Sequence, residues 1–246
     1  MIRMLQVKGG ETMTSATINE AMLFMRTMSY PTEIQARKIT IAYHFFKRVS
    51  DIGISSLAIL GLSGLFIILT VITTIVTRGH PFFADVRVGR NGRDIKVYKF
   101  RTMYYDAEEN IDKYLDHSQK KQWKKERKVD NDPRVTKFGN VLRKTSLDEL
   151  PQLFNILLGS MSLVGVRPMT RKEIQDNYTL EQTQLIYGSK PGLTGVWQVL
   201  GRNDIDFESG KRQKLDMLYF KNRGFRYETK LVFLTVPAVL TQKGAR

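Results

Sequence analysis

The stretch IGISSLAILGLSGLFIILTVITTIV, residues 52–76, contains no charged side chain and decides the fold class. As a single α-helix it would be about 37 Å long, which exceeds the ~30 Å hydrocarbon core of a bilayer. A buried helix of a soluble protein needs no uninterrupted apolar run of this length, so we interpret the stretch as a membrane segment. The segment is expected to occupy residues 47–78, and residues 1–46 are predicted to be a poorly ordered or weakly helical lead-in.

Basic residues flank both ends of this apolar stretch. Lys47 and Arg48 precede it, and Arg78 and further arginines follow it. Because basic residues concentrate on the cytoplasmic side of a membrane, basic flanks at both ends favour a segment that enters and leaves by the same face. The central GLSG, residues 61–64, predicts a sharp bend, since glycine weakens a helix and a serine hydroxyl can satisfy a freed carbonyl. A straight spanning helix with small packing residues stays open as the alternative.

The chain of 246 residues is strongly basic, with 39 Lys+Arg against 24 Asp+Glu and a formal charge of +15. Its length suits one domain with a substantial core. The charge favours polyanionic partners, namely nucleic acid, anionic lipid or phosphorylated substrates. The absence of cysteine excludes disulfides, thiolate metal sites and a cysteine nucleophile. The few histidines lie far apart in sequence, so a metal would take oxygen ligands, and Mg²⁺ is the first candidate.

The sharpest local feature is SLDELP at residues 146–151. Ser146 and Glu149 have the spacing of a capping box, which would make this an ordinary helix start. Pro151 fits poorly inside such a helix because it lacks an N–H; at a first helical position it would leave both acids on the preceding loop. On that loop Asp148 and Glu149 would form a Mg²⁺ and phosphate site, with one acid binding the metal while the other attacks phosphorus. Both interpretations stay open at this level.

Several basic residues of the chain lie on predicted turns or element ends. Taken singly, each is typical of a solvated surface charge. As a set they have the donors to hold a pyrophosphate. These residues are Lys99, Arg101, Arg143 and Arg167.

The rest of the chain alternates short helices, extended segments and loops. Ile95, Val97 and Tyr98 are predicted to lead into a short strand or extended segment at residues 99–103. Helices are predicted over residues 106–127, 150–158 and 211–221, with a terminal apolar run at 231–240. Two segments punctuated by glycine and proline are predicted as loops, namely residues 162–168 and 188–201.

Four ordered blocks of the sequence resemble the bacterial sugar transferase family, the monotopic polyprenyl-phosphate phosphoglycosyl transferases. The blocks are KRVSDIGISS (47–56), RVGRNGRDIKVYKFRTM (87–103), DPRVTKFGNVLRKTSLDELPQLFNILLGSMSLVGVRP (132–168) and KPGLTGVWQVLGRND (190–204). The segment 215–236 also fits, so the resemblance covers roughly residues 47–240. At a few positions the chain departs from the family's usual residues: Gly64 and Val166 replace prolines, Gly224 replaces a serine and Glu228 replaces an aspartate.

The resemblance implies transfer of a sugar-1-phosphate from a UDP-sugar to undecaprenyl phosphate, with release of UMP, as the priming step of exopolysaccharide, capsule or glycoconjugate synthesis. It also implies a re-entrant membrane helix and a catalytic domain on the cytoplasmic face of the bacterial cell membrane. Carried over by motif, Asp148 is the nucleophile that forms a covalent phosphosugar intermediate, and Glu149 is its acidic neighbour associated with Mg²⁺. Lys99, Arg143 and Arg167 match basic positions that contact phosphate groups.

The expected fold is therefore a helix-rich α/β, membrane-associated domain over residues 79–246, reached by the re-entrant helix. Interfacial amphipathic helices are expected to include parts of residues 150–164 and 231–240. A non-enzymatic basic membrane protein that binds anionic lipid is a rival, but it leaves Asp148 and Glu149 unexplained. A nucleic-acid binder would need a basic face with aromatic stacking or a recognition helix; no such motif is present, so no nucleic-acid partner is predicted. The sugar and the oligomeric state stay open.

Overall fold

A computed structural model describes residues 36–126, 129, 131–200 and 207–240, except for the side chains of residues 124–126 and 236–240. Most of the predicted lead-in and the end of the fourth sequence block lie outside these residues. The strands are β1 (Phe82–Val88), β2 (Asp94–Phe100), β3 (Ser162–Val164) and β4 (Gly192–Thr194). The helices are α1 (Ile41–Gly61), α2 (Ser63–Thr77), α3 (Ile111–Tyr114), α4 (His117–Glu126), α5 (Lys137–Thr145), α6 (Gln152–Leu158), α7 (Arg171–Asn177), α8 (Leu180–Tyr187), α9 (Val196–Leu200), α10 (Lys211–Asn222) and α11 (Phe225–Leu240). The predicted helix-rich α/β class is confirmed.

Helices α1 and α2 form a bent pair rather than one straight helix. Their axes differ by 65°, and Leu62, with φ −98° and ψ 9°, separates them. In the described part of the chain no helix alone has the length and hydropathy of a membrane span, whereas this pair reaches both together, by length and composition only. The bend predicted within residues 61–64 is confirmed. The side chain of Thr40 caps α1, so the helix begins at Ile41, upstream of the boundary predicted at residue 47.

The hydrophobic core explains why the bend is stable. It lies between α2, the β1–β2 hairpin, α5 and α6. The Phe66 ring on α2 lies 5.5 Å from the Phe154 ring and 6.0 Å from the Phe100 ring, measured between centroids. Burial of such side chains contributes roughly 1.5–3 kcal/mol each, so packing of α2 onto the body holds the bend. The buried members of this core are Phe66, Leu69, Val97, Phe100, Leu142, Leu153, Ile156 and Met161.

Strands β1 and β2 form an antiparallel hairpin in which Phe83 pairs with Lys99 and Arg87 pairs with Ile95. Because side chains alternate along a strand and paired residues share a face, this register places Arg87 and Lys99 on the same face. The hairpin turns at Asn91, whose φ is 62°. The strand or extended segment predicted at residues 99–103 is confirmed in part, because the strand begins upstream at Asp94 and ends at Phe100.

The loops predicted at residues 162–168 and 188–201 were wrong in part. They contain β3 and β4, which pair in parallel, and helix α9. The glycines there serve close backbone packing, because a Cβ on Gly192 would lie 2.1 Å from the Gly165 nitrogen. Strands of this length are too short to show a hydrophobic period in the sequence.

Of the helices predicted from the sequence, two are confirmed and one is divided into two shorter helices. The segment 106–127 does not form one helix, because Leu115 adopts an extended backbone (φ −101°, ψ 134°) between α3 and α4. The helix predicted at 150–158 is confirmed as α6, and the one at 211–221 as α10. The terminal apolar run lies within α11, where Leu231 is fully buried and Phe233 is 72% exposed.

The first half of α1 is attached to the body of the protein by charged side chains. Arg48 donates to the carbonyls of Ile156 (2.7 Å) and Leu157 (2.8 Å) at the C-terminal end of α6. A cation there is favoured by the helix dipole. Asp51, which is buried, accepts a hydrogen bond from the Leu163 N–H at 2.9 Å. The start of α1 is therefore part of the folded unit.

A buried polar network joins α1 to α10 and α11. The carboxylate of Glu228 accepts hydrogen bonds from the hydroxyls of Tyr43 and Tyr219. It also pairs with the Lys47 Nζ at 2.5 Å, and the same Nζ donates to the Val164 carbonyl at 2.9 Å. Burial, followed by the charge of Glu228, raises the pKa of Tyr219, so this hydroxyl keeps its proton and donates. Each buried charge in this network thus has partners.

Candidate active site

The two acids of the SLDELP stretch lie on a short 3₁₀ turn, Leu147–Glu149, between α5 and α6. Ser146 ends α5 with a left-handed backbone, φ 58°, and its side chain makes no capping hydrogen bond. The capping-box interpretation is therefore wrong. Pro151 is the N-cap of α6, which leaves Asp148 and Glu149 just ahead of that helix, as the alternative interpretation predicts.

Helix α6 is fixed against β2 by one buried amide. The side chain of Asn155 donates to the Lys96 carbonyl at 2.7 Å and accepts from the Tyr98 N–H at 2.9 Å. Because Lys99 follows on the same strand, this pair of hydrogen bonds sets its position relative to the acidic turn that precedes α6. Asn155 thus supports the site without belonging to it.

Glu149 lies between two cations from different parts of the chain. Its Oε1 atom is 3.8 Å from Lys99 Nζ and 3.3 Å from Arg167 Nη1. The three side chains are partly exposed, so solvent screens these ion pairs. Burial lowers the pKa of Lys99, and the charge of Glu149 opposes that effect. The turn therefore holds its acid next to groups that also suit a phosphate.

The carboxyl of Asp148 is perturbed by its surroundings. Burial, and secondly the charge of Glu149, raises the pKa of Asp148 to about 6. The positive charges of Lys99, Arg143 and Arg167 act in the opposite direction. A poorly solvated carboxylate surrounded by cations is an arrangement typical of functional sites.

Arg143 is oriented by the segment that follows β2. Its Nε donates to the Thr102 hydroxyl at 3.0 Å, and burial lowers the pKa of the guanidinium. Helix α5 approaches this segment so closely that a Cβ on Gly139 would lie only 2.0 Å from the Thr102 carbonyl oxygen. Glycine at this position allows Arg143 to reach the site.

Arg101 does not join this group. Its guanidinium donates to the His80 carbonyl at 2.9 Å and lies 4.9 Å from the centre of the Tyr105 ring. It thus stabilises the chain between α2 and β1. The predicted site residues that the structure brings together are Asp148, Glu149, Lys99, Arg143 and Arg167.

Three further residues of the site were missed by sequence reasoning. Thr102 orients Arg143, and Arg87 and Gln152 line the small cleft beside Lys99 and Glu149. Strand alternation carried the signal for Arg87, since it shares the hairpin face of Lys99. Nothing in the sequence pattern marked Gln152 or Thr102.

The donors present fit Mg²⁺. In phosphoryl-transfer sites this ion takes one or two carboxylates and completes its coordination with phosphate oxygens and water. Asp148 and Glu149 supply two adjacent carboxylates. Among the described residues no group of three or more His, Cys, Asp or Glu is placed to bind a metal. A magnesium ion here would accordingly be shared with a phosphorylated substrate.

Comparisons with known proteins identify the family of the chain. The family described as Bacterial sugar transferase matches residues 42–242. Exopolysaccharide production protein ExoY of Rhizobium meliloti is 39% identical over 202 residues, which are 81% of this chain and 87% of that protein. Undecaprenyl-phosphate galactose phosphotransferase of Salmonella typhimurium is 41% identical over 205 residues, 82% of this chain and 42% of that protein. UDP-glucose:undecaprenyl-phosphate glucose-1-phosphate transferase of Klebsiella pneumoniae is 38% identical over 195 residues, 78% of this chain and 39% of that protein.

The share of each relative that the match covers differs between the relatives. This chain spans most of ExoY but only about two fifths of the length of the Salmonella and Klebsiella relatives. The matched segment contains the bent helix pair, the hairpin and the whole acidic turn with its cations. The chain therefore belongs to the bacterial sugar transferase family.

Proposed function

We propose that the protein transfers a sugar-1-phosphate from a UDP-sugar to undecaprenyl phosphate and releases UMP, as the priming step of exopolysaccharide, capsule or glycoconjugate synthesis. The observation that carries the proposal is the half-buried turn on which Asp148 lies among Lys99, Arg143 and Arg167. The names of the Salmonella and Klebsiella relatives, which specify galactose and glucose transfer to undecaprenyl phosphate, support it.

Asp148 is assigned as the nucleophile in two displacement steps. In the first, a carboxylate oxygen of Asp148 attacks the phosphorus that carries the sugar, and the bond to the bridging oxygen breaks as UMP leaves. In the second, a phosphate oxygen of undecaprenyl phosphate attacks the same phosphorus, and the carboxylate leaves. The covalent aspartyl-phosphosugar intermediate allows a soluble donor and a lipid acceptor to use one site in turn.

The cations and Glu149 provide the electrostatic part of the reaction. Lys99, Arg143 and Arg167 bind and orient the diphosphate and stabilise charge on its oxygens as the bonds exchange. Glu149, together with Asp148, would hold Mg²⁺, which screens the diphosphate charge when it is bound.

Glu149→Gln should weaken the Mg²⁺ dependence of turnover. An amide is a poorer magnesium ligand than a carboxylate, so the Mg²⁺ concentration for half-maximal rate should rise about 10–100-fold. Initial rates over a Mg²⁺ titration measure this shift. The matched control is Glu181→Gln, at an exposed position on α8. A titration curve that is unchanged by Glu149→Gln contradicts the role of Glu149.

The pH dependence should show two limbs. Since the pKa of Asp148 is about 6, kcat/KM for the donor should fall about tenfold per pH unit below about pH 6, as the nucleophile becomes protonated. At alkaline pH the rate should fall as Lys99, whose pKa is lowered by burial, loses its proton. Lys99→Arg is the control, because it should remove the alkaline limb and keep the acid limb. A flat profile across the acid range contradicts the assignment of Asp148.

The decisive experiment measures UMP release by purified protein with Mg²⁺, undecaprenyl phosphate and a panel of UDP-sugars. Release with one sugar that depends on the lipid establishes the reaction and identifies the donor. Trapping of a phosphosugar on Asp148 in the absence of the lipid acceptor tests the covalent intermediate. Absence of release from folded protein with every donor contradicts the proposal and favours a lipid-binding scaffold.

Exposed apolar side chains on the bent helix pair support a membrane location. We place α1 and α2 in the bilayer as a re-entrant pair, with the site at the cytoplasmic face of the cell membrane, where the lipid acceptor lies. Phe154 and Leu158 on α6 and Phe233 on α11 also expose apolar surface and suit the interface. The more than half-exposed apolar residues of the pair's central part are Leu57, Leu60, Ile67, Ile68, Val71 and Ile75.

The re-entrant arrangement predicts that both flanks of the pair lie on one side of the membrane. The chain has no native cysteine, so single-cysteine variants report topology cleanly. Lys38→Cys and Asn110→Cys, both at exposed positions, should react with a membrane-impermeant maleimide from the same side. Reaction from opposite sides would establish a spanning helix. Labelling after permeabilisation is the control for access.

A further inference from the structure

A second cavity lies at the base of α1, away from the acidic turn. It has a volume of about 220 Å³ and shares no lining residue with the cleft beside Glu149. Its charged lining comes from four separate parts of the fold: α1, the turn between β1 and β2, the segment after α8, and the end of α10. These charged residues are Lys47, Arg48, Asp51, Arg90, Lys190 and Arg223.

The cations of this cavity exceed its acids. Lys47 already pairs with Glu228, and Asp51 is used by β3. Within the described residues, Arg90 and Lys190 have no ion pair. The Nε of Arg223 is buried without a hydrogen-bond partner.

The positive charges that line the cavity repel one another. Burial lowers the pKa of Lys190, and the charges of Arg48 and Arg90 lower it further, whereas Asp51 opposes the effect. An anion in the cavity would relieve this mutual repulsion. The cavity is therefore lined by more positive than negative side chains, as expected for a site that binds an anion.

The size of the cavity restricts the anion. Sites for drug-sized molecules usually have volumes of about 300–1,000 Å³. A cavity of about 220 Å³ is too small for a nucleotide sugar and suits a single phosphate with a short polar substituent.

The surface next to the cavity indicates what the phosphate is attached to. His44, Lys47 and Arg48 line the cavity on one face of α1, at helical spacing. At the same level of the helix, Phe45 and Val49 are 65% and 52% exposed and point away from it. A cationic pocket thus adjoins an apolar surface, which matches a ligand with a phosphate headgroup and an acyl chain.

We propose that this cavity binds the headgroup phosphate of an anionic phospholipid, whose acyl chains lie along the exposed apolar face of α1. The inference rests on the membrane location proposed above and is independent of the transfer reaction. The bound lipid is distinct from the acceptor, because the acceptor phosphate must reach Asp148. Its role is to hold the start of α1 at the membrane surface.

The test compares two double variants with equal loss of charge. Arg90→Gln/Lys190→Gln removes two cavity cations that have neither an ion pair nor a side-chain hydrogen bond within the described part of the chain. Lys172→Gln/Lys211→Gln removes two exposed charges outside the cavity. Binding of phosphatidylglycerol and of phosphatidylcholine to the detergent-solubilised full chain is measured by native mass spectrometry, with thermal unfolding as the check on folding.

Wild-type protein and the control variant should retain one phosphatidylglycerol. The cavity variant should bind it about 30-fold more weakly, which is about fivefold for each of the two cations removed. Equal weakening in both variants, or equal binding of phosphatidylcholine, overturns the proposal. Glycerol phosphate and inorganic phosphate are the competing probes; displacement of the lipid by either at matched concentration would assign the cavity to free phosphate instead. Because lipid binding is measured in Asp148→Asn as well, a failed transfer reaction and a failed lipid site give different results.

Discussion

Asp148→Asn should abolish turnover while the protein remains folded. An asparagine amide cannot form the acyl-phosphate bond, so UMP release should fall by about 10⁴-fold or more, the scale seen when a covalent nucleophile is removed. UMP release under the conditions of the donor panel measures this loss. Retention of wild-type activity would reject Asp148 as the nucleophile.

The same substitution should stabilise the protein at neutral and alkaline pH. The pKa of Asp148 is about 6 in the folded protein and about 3.9 in an unfolded chain. Between these values the folded state holds a proton that the unfolded state has released, so stability decreases as pH rises through this window. The full difference of about two pKa units corresponds to about 3 kcal/mol.

Asparagine carries no charge, so the variant escapes this loss. Thermal unfolding at about pH 4 and about pH 8 should show nearly equal stability of variant and wild type at the lower pH and a more stable variant at the higher pH. The control is Asp176→Asn, at an exposed position on α7. A variant that is less stable than wild type at the higher pH contradicts the burial argument. The charged Asp148 carboxylate therefore lowers stability in the pH range in which the proposed reaction requires it.

Glu228→Ala should produce the largest loss of stability among the substitutions considered. It leaves the Lys47 ammonium, 16% exposed, without its counter-ion, and it removes the acceptor for the Tyr219 hydroxyl. Breaking one partner of a buried ion pair costs about 3–5 kcal/mol. Denaturant unfolding of the full chain in detergent measures the loss.

A second variant tests whether the loss of stability comes from the Lys47 charge that is left without a partner. Lys47→Met/Glu228→Leu removes both charges and replaces them with apolar groups of similar size, so it should recover most of the stability. A double variant no more stable than Glu228→Ala would contradict the stranded charge as the cause. Because the network joins α1 to α11, both variants should leave the acidic turn itself unchanged.

Local signals in the sequence predicted the features that depend on neighbouring residues. The bend at Leu62 follows from small residues within one helical turn, and the position of the acids follows from the geometry of Pro151. The residues that precede Lys99 predict the extended backbone there. Each of these depends on backbone chemistry within a few residues.

Features that depend on distant residues were not predictable in the same way. The partners Lys47 and Glu228 are 181 positions apart, and no pattern in the chain connects them. Arg101 has the guanidinium group expected of a phosphate ligand. In the structure this group donates instead to the carbonyls of His80 and Phe82, at the start of β1. The pairing of β3 with β4 depends on the close contact of Gly165 with Gly192. Both glycines lie in segments that were predicted as loops from the sequence.

The length of helix α6 fixes the distance between the acidic turn and the residues that Arg48 binds. It begins immediately after the acidic turn and ends on the carbonyls that Arg48 of α1 binds. Its seven residues correspond to about 10 Å. The helix therefore acts as a fixed spacer between the acidic turn and the carbonyls that Arg48 binds. In the membrane arrangement proposed above, this spacing holds the Asp148 carboxylate at a constant distance from the part of α1 that lies at the bilayer surface.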